Sequence, residues 1–334
     1  MTPKISIPVG VVFYQPAPAL SAGYRTDKAL KKQGVPPKQR PRKPAPNPQY
    51  PTKEQLALRL LETFNAHHPA VRIHAVMADA LYGTATFVDG ASALFSGVQV
   101  LSQIRSNQNI RVGKRDQHVA DYFATHPGTP CPIRIRGGEE VAAMVGSARL
   151  YVCAHKTKRF IVAIKYAEEE TYRYLIASDL SWRTLDIVQG HTLRWLVEVF
   201  IQDWKSYEGW SQLTKQPGNQ GARQSVILSL LVDHSLFMHP DQQRQLKNNL
   251  PAYTVGSLRA NVQVECLVDV IDDVMSSDDP QDTLKRCTHA LHEVFACSRS
   301  KKHMMQRQLG RLEPTPSLKD RAPEVMRTIP VMST

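Results

Sequence analysis

The chain has 334 residues with 42 Lys+Arg against 30 Asp+Glu, a formal net charge of +12, and an apolar fraction of 42% that excludes a wholly disordered polymer. Five scattered cysteines with no C-x-x-C pair argue against a disulfide framework and fit a reducing compartment. The longest apolar run, Val226 to Val232 broken by Ser229, falls far short of the ~20 residues that span a bilayer, and the opening residues lack the apolar core of an export signal. Residues 1–78 carry +9 of the charge, a bias that suits a polyanion such as nucleic acid.

In chain order, residues 5–14 (ISIPVGVVFY) are β-branched and aromatic, and the pattern predicts a strand. Residues 16–51 are rich in proline and basic side chains and are expected to be extended and mobile. Thr52 is placed to cap a helix running to about Phe64, with Leu56, Leu60 and Phe64 on one face. Residues 71–78 read as a short buried strand ending at Asp79. A glycine-containing turn, a short helix near 89–96 and a strand over 98–104 follow. Between 111 and 179, strand-like runs recur with turn signals near Gly137-Gly138 and Lys156–Lys158, the pattern of antiparallel hairpins. Long helical periodicities cover 184–209 and 222–238. Residues 251–308 are also helical, with an acidic break at 276–280, and the proline-rich end is expected to fray.

One segment concentrates chemistry. On a helix turning about 100° per residue, His191, Glu198 and Lys205 fall within roughly 60° of Arg194, and Asp203 falls on the opposite side. A solvated face with an Arg–Glu pair would look the same and would be worth only about 0.2–0.5 kcal/mol. What singles this face out is Asp79, a carboxylate at the end of a predicted strand, where functional groups of α/β sheets gather.

Arg194, Glu198 and Lys205 match an R-x3-E-x6-K spacing, and the blocks RYLIASDLSW, HTLRWLVEVFIQDWKSYEGW and ADALYG surround these residues. In these features, over roughly residues 5–240, the sequence resembles the DDE transposases of bacterial insertion sequences, in the branch with a Y-x2-R-x3-E-x6-K signature. His191 stands in the tyrosine's place, a departure. The resemblance implies a ribonuclease-H-like α/β core with its first strand missing, a β-rich insertion and a helical C-terminal region. Its parts would be an N-terminal core segment over 1–110 with a basic loop at 16–51, the insertion at 111–180, the closing helices at 181–240, a helical region at 241–312 and a flexible tail at 313–334.

It also implies metal-dependent phosphoryl transfer on DNA, with Asp79 and Glu198 as catalytic ligands of Mg²⁺ or Mn²⁺. Arg194, Lys205 and His191 would contact DNA phosphate. The partners would be the element's terminal inverted repeats and a second copy of the chain, in the bacterial cytoplasm at the nucleoid, with no membrane role. The family's first catalytic aspartate has no counterpart in a strand context, since Asp27 is the only aspartate before Asp79. The expectation is therefore a truncated copy, inactive alone. Two alternatives are a non-catalytic DNA-binding or dimerising remnant and a nuclease of the same fold. Two further patterns, His289/His292 with Cys287 and Cys297, and Trp182, Trp204 and Trp210, are expected to pack rather than to bind zinc or an extruded base.

Overall fold

The computed structural model describes residues 6–45, 47–135, 139–208, 210 and 218–294. The turn at Gly137-Gly138, Cys297, the end of the helical pattern beyond 294 and the 313–334 tail lie outside them. The chain divides into a unit over 1–262 and a second over 263–334.

The first unit opens on a correction. Residues 6–17 form no strand: Pro8 and Gly10 interrupt the run, and Val9, Val11 and Val12 are exposed. Its rings lie beside cations, Tyr14 under Lys53 and Phe13 under Arg223. The expected coil then contains a helix, α1 (Pro18–Lys32). Proline does not prevent it. Pro18 sits in the first turn, where its missing N–H costs nothing, and the next proline follows the helix end. Helix α2 (Lys53–His67) begins as expected: Thr52 accepts from the Gln55 N–H, and the Gln55 side chain accepts from the Thr52 N–H, a reciprocal capping box.

A parallel β–α–β unit follows: β1 (Ala75–Met77), α3 (Ala85–Leu94) and β2 (Gln99–Ile104), with Ala75 opposite Gln99 and Met77 opposite Leu101. The chain then adds antiparallel strands: β3 (Asn109–Val112), β4 (Arg115–His118), β5 (Thr129–Arg134), β6 (Glu140–Val152), β7 (Thr157–Tyr166) and β8 (Arg173–Ala177), with α4 (Val119–Thr125) between β4 and β5. Among the described residues these eight strands form one mixed sheet in the order β1-β2-β8-β7-β6-β3-β4, with β5 also on β6. The stretch 111–180, expected as an insertion, thus makes up most of the sheet and is joined to β2 through β8.

Side-chain alternation explains how both faces are covered. On β7, Phe160, Val162 and Ile164 face one core with Leu175 and Ala177 of β8; Ile161 and Ala163 face the other with Tyr174 and Ile176. Helix α5 (Thr184–Thr192) covers the first face with Ile187 and Val188. Val119 and Phe123 of α4 cover the second. Val100 of β2 packs with Phe87, Val88 and Ala91 of α3 in a third cluster, backed by Leu58 and Leu61 of α2. Strands buried on both faces carry near-continuous apolar sequence, which β7 and β8 do.

The helical pattern at 184–209 is two helices, α5 and α6 (Trp195–Tyr207). Between them the bonds tighten to i→i+3 type, from Leu193 N–H to Gly190 C=O and Arg194 N–H to His191 C=O. Helix α7 (Gly218–Met238) packs on α6, and the Trp204 indole N–H donates to the Ser229 hydroxyl at 2.7 Å in a buried setting. Ser229, which breaks the apolar run, is the partner that lets the indole be buried. Helix α8 (Pro240–Lys247) follows. Helix α9 (Val255–Met275) begins in the first unit. In the second unit the remainder of α9 exposes Val264, Leu267, Val268 and Ile271, and α10 (Pro280–Val294) starts with the Asp282 N–H donating to the Asp279 carboxylate. Among the described residues, no helix is long and apolar enough to cross a membrane.

Ser229→Ala leaves the buried Trp204 N–H without its acceptor. The variant should be about 1–3 kcal/mol less stable, read as a lowered urea midpoint in tryptophan fluorescence.

Candidate functional site

The site is assembled around β2. Beyond β1 the ladder continues for one bond, Ala78 N–H to Leu101 C=O at 2.9 Å, and the Ser102 hydroxyl donates to the Asp79 carbonyl at 2.9 Å. Residues 80–82 then make a single 3-10 turn. Gly83 closes it so near to β2 that a Cβ there would stand 2.0 Å from the Gln103 carbonyl oxygen. Only glycine fits that approach. The backbone is thereby fixed on both sides of Asp79, while its carboxylate is left free of any cap and 65% exposed.

A polar network running from the exposed Asp89 to the buried Arg159 and His155 supports this turn. Arg159 on β7 is 4% exposed and bonds Asp89 of α3 at 2.5 Å. Its Nε–H donates to His155 Nδ1 at 3.3 Å, and His155 Nε2 lies 3.2 Å from the Gly83 carbonyl. With Nδ1 accepting, the ring proton is on Nε2 and donates to Gly83. Burial, then the neighbouring Arg159 charge, lowers the His155 pKa. The neutral ring is the one this chain of bonds requires.

Helix α5 approaches from the other side. A Cβ at Gly190 would come within 2.9 Å of Leu101 Cδ1, so glycine lets the helix settle onto β2 and bring His191 against the Gln103 side chain. His191 Nε2 and Gln103 Nε2 are 2.8 Å apart. With the amide donating, the imidazole is neutral and carries its proton on Nδ1. Burial, followed by Arg194 and Arg173, pushes its pKa down to about 4.

Arg194 occupies the junction of α5 and α6. Its Nη1 is 3.4 Å from Glu198 and 3.7 Å from Asp79. One guanidinium nitrogen therefore lies between the two carboxylates that the sequence separates widely. The Arg194 Nε is buried without a hydrogen-bond partner. Of the residues singled out from the sequence, Asp79, His191, Arg194 and Glu198 come together. Lys205 lies two turns further along α6 with its Nζ 4.9 Å from the centre of the Trp210 ring. Trp210 stacks on Trp204 at 4.6 Å, and Trp182 packs against the first core face. Among the described residues, no group of three or more His, Cys, Asp or Glu side chains is placed to hold a metal ion.

Neither a known family model nor a curated protein sequence matches this chain.

A cavity of about 360 Å³ opens beside His191 and Arg194, with Tyr166, Arg173 and Trp195 on its walls. Arg173 is held by Glu169 and lies over the Tyr166 ring. Two arginines and two aromatic residues thus stand on the walls of this space. Sequence reasoning did not single out Arg173, Tyr166 or Gln103. For β2 a signal existed: three polar residues, Gln99, Ser102 and Gln103, interrupt an apolar strand. Gln99 and Ser102 are buried; Gln99 accepts from the Asp179 N–H beyond β8, and Ser102 bonds the Asp79 carbonyl that frames the site.

A second polar cluster closes the far end of α6. Glu208 is 2% exposed, and neither carboxyl oxygen has a donor partner. It faces Asp233 of α7. Burial, followed by the charges of Asp233 and Asp203, pushes the Glu208 pKa up to about 8; burial also raises that of Asp233. Two carboxylates cannot hydrogen-bond each other, so the pair is satisfied only when it holds a proton. The linkage sign follows. The folded protein keeps a proton that the unfolded chain releases above its ordinary pKa of 4.5, so stability falls as pH rises from about 4.5 towards 8. Glu208→Gln should flatten that fall and make the protein more stable than wild type at pH 8–9, measured by urea unfolding across pH. An unchanged pH slope would refute the shared proton.

Proposed function

We propose that this chain has a ribonuclease-H-like core and belongs to the DDE transposases, whose chemistry is metal-dependent phosphoryl transfer on DNA. The observation that carries the reading is the convergence of Asp79, Arg194 and Glu198 at the open end of the parallel β1–β2 pair. The order of parts agrees with the resemblance: a parallel unit ending in one carboxylate, then antiparallel strands, then a helix bearing the second.

Energetics favour a binding role for Arg194 over a structural one. Its carboxylate partners are 65% and 49% exposed, and such pairs contribute about 0–1 kcal/mol. For stability alone the arrangement contributes little. A DNA phosphate would offer the Nη1 side of the guanidinium, which now holds only these weak pairs, a stronger charge-assisted acceptor.

Asp79 and Glu198 offer the hard oxygen donors that suit Mg²⁺ or Mn²⁺, ions held through one or two carboxylates and substrate phosphates. When bound, the ion supplies Lewis-acid stabilisation of an in-line displacement at phosphorus. Around it, Arg194 would release the carboxylates and take phosphate, and Lys205 would add a point charge two turns along the strand path. His191, held neutral, would donate a hydrogen bond from Nδ1. A tyrosine hydroxyl is also a neutral donor, so the departure from the signature conserves the kind of contact.

Two-metal chemistry draws on three carboxylates, and this site gathers two. We therefore infer that the two carboxylates gathered here do not support cleavage without a third. Terminal inverted repeats in bacterial cytoplasm and a second copy of the chain complete the proposal.

Wild-type protein should bind duplex DNA yet leave it intact in Mg²⁺. Asp79→Ala and Glu198→Ala should each weaken Mn²⁺ binding, followed by electron paramagnetic resonance. Cleavage by wild type that Glu198→Ala abolishes would overturn the inactivity and keep the transposase reading. Mn²⁺ affinity indifferent to both substitutions would overturn the metal site itself.

A further inference from the structure

The stretch outside the sheet that carries the basic excess is built as a hairpin. Helix α1 is followed by a short 3-10 turn (Pro37–Gln39) and an extended proline-rich return. The return folds back onto the helix at two points. Arg40 pairs with Asp27 at 3.0 Å, and a Cβ at Gly23 would stand 3.1 Å from the Pro44 ring. Both contacts fall on one face. Taking Arg25 as zero on the helical wheel, Leu20, Gly23, Asp27 and Leu30 lie between about 140° and 220°. All four are partly buried.

The opposite face is different. Arg25, Lys28 and Lys32 fall within roughly 60° of each other, with Lys31 and Tyr24 beside Lys28. These five are exposed, as are Lys38, Arg42 and Lys43 on the turn and return. The single acidic residue of α1, Asp27, is turned away and neutralised by Arg40. The hairpin therefore presents seven exposed cations, two of them next to an exposed aromatic ring, with no carboxylate among them. A fold that uses its only acid to lock the return onto the helix leaves a purely cationic outer surface.

We propose that this hairpin is a DNA-backbone clamp, distinct from the Arg194 site, that holds duplex phosphates without reading sequence. The choice of DNA rests on the transposase reading; the cationic surface does not. An anionic membrane fits less well, because Tyr24 is the one large apolar side chain exposed on α1, and a helix that inserts into a membrane interface needs a broad apolar face. Duplex DNA carries one charge per ~1.7 Å of axis, so a helix about 22 Å long passes many phosphates.

The test compares the full chain with a variant carrying Lys28→Gln, Lys32→Gln, Arg42→Gln and Lys43→Gln. All four positions are exposed, and the Asp27–Arg40 lock is untouched; circular dichroism checks that the fold is kept. Binding of random-sequence duplexes is followed by fluorescence anisotropy in EDTA between 50 and 200 mM salt. The clamp predicts that the variant loses affinity for every duplex alike. The slope of log K against log salt should shrink by about 3.5, so that wild-type affinity falls on the order of 100-fold further across that range. Equal affinity and equal slope would overturn the clamp. So would tighter charge-dependent binding to phosphatidylserine vesicles than to DNA. An Arg194→Ala protein in parallel separates the two readings: loss of binding there with the hairpin variant unaffected defeats the clamp alone, while binding lost only in the hairpin variant, with no Mn²⁺ bound by wild type, defeats the active-site reading and leaves the clamp standing.

Discussion

Gln103 is the point at which the separate parts of the candidate site meet, and the rest of the arrangement depends on it. Its backbone carbonyl receives the close approach of Gly83, which fixes the turn carrying Asp79. Its side chain meets His191 at 2.8 Å, which fixes the end of α5 and so the start of α6. Segments far apart in the chain are thus referenced to one residue of one strand. That strand can serve as the reference because it is buried and paired on both sides, with β1 and with β8. The Asp89–Arg159–His155 network does the same for the carbonyl of Gly83. Its inner members, Arg159 and His155, are buried, where an unpaired polar group is costly, and the charges and tautomer agree along the chain of bonds.

The electrostatics divide into two regimes along α6. At its start the groups are half-exposed, oppositely charged and able to exchange partners. At its end Glu208 and Asp233 are buried side by side, and burial raises the pKa of both. The first regime contributes little to stability and leaves its charges available to a ligand. The second makes stability depend on pH and leaves nothing available. Phe200 and Trp204 stack along α6 between them, Trp210 stacks on Trp204, and the Ser229 bond ties α6 to α7.

Much of this was legible in the sequence. The Thr52 cap, the recurrent strands over 111–179 and the Arg194–Glu198 face are local patterns that hold, whereas the strand before Asp79, expected buried over 71–78, is only Ala75–Met77 with no buried residue and with Val71 exposed. The failures were also local readings. Residues 5–14 have strand composition, but strand formation needs a partner, and composition does not supply one. The proline content of 16–51 hid a proline-free interval long enough for α1. The Gln103–His191 contact and the Glu208–Asp233 pair were not legible at all, because each joins elements whose meeting is decided by the sheet and by helix packing. Gly83 and Gly190 were visible as letters; the close approaches that require them appear only in three dimensions.

The tightened turn between α5 and α6 has a mechanical consequence. Helix α5 is seated on the sheet, against β2, β5 and β7, whereas α6 is seated on α7. His191 therefore belongs to the helix packed on the sheet, and Glu198 and Lys205 belong to the helix packed on α7. A few degrees of torsion at residues 193–194 would swing the carboxylate of Glu198 relative to that of Asp79 while the sheet stayed as it is. The two acids thus stand on elements with different packing partners, and Arg194, at the turn between the two helices, carries the charge that lies between them.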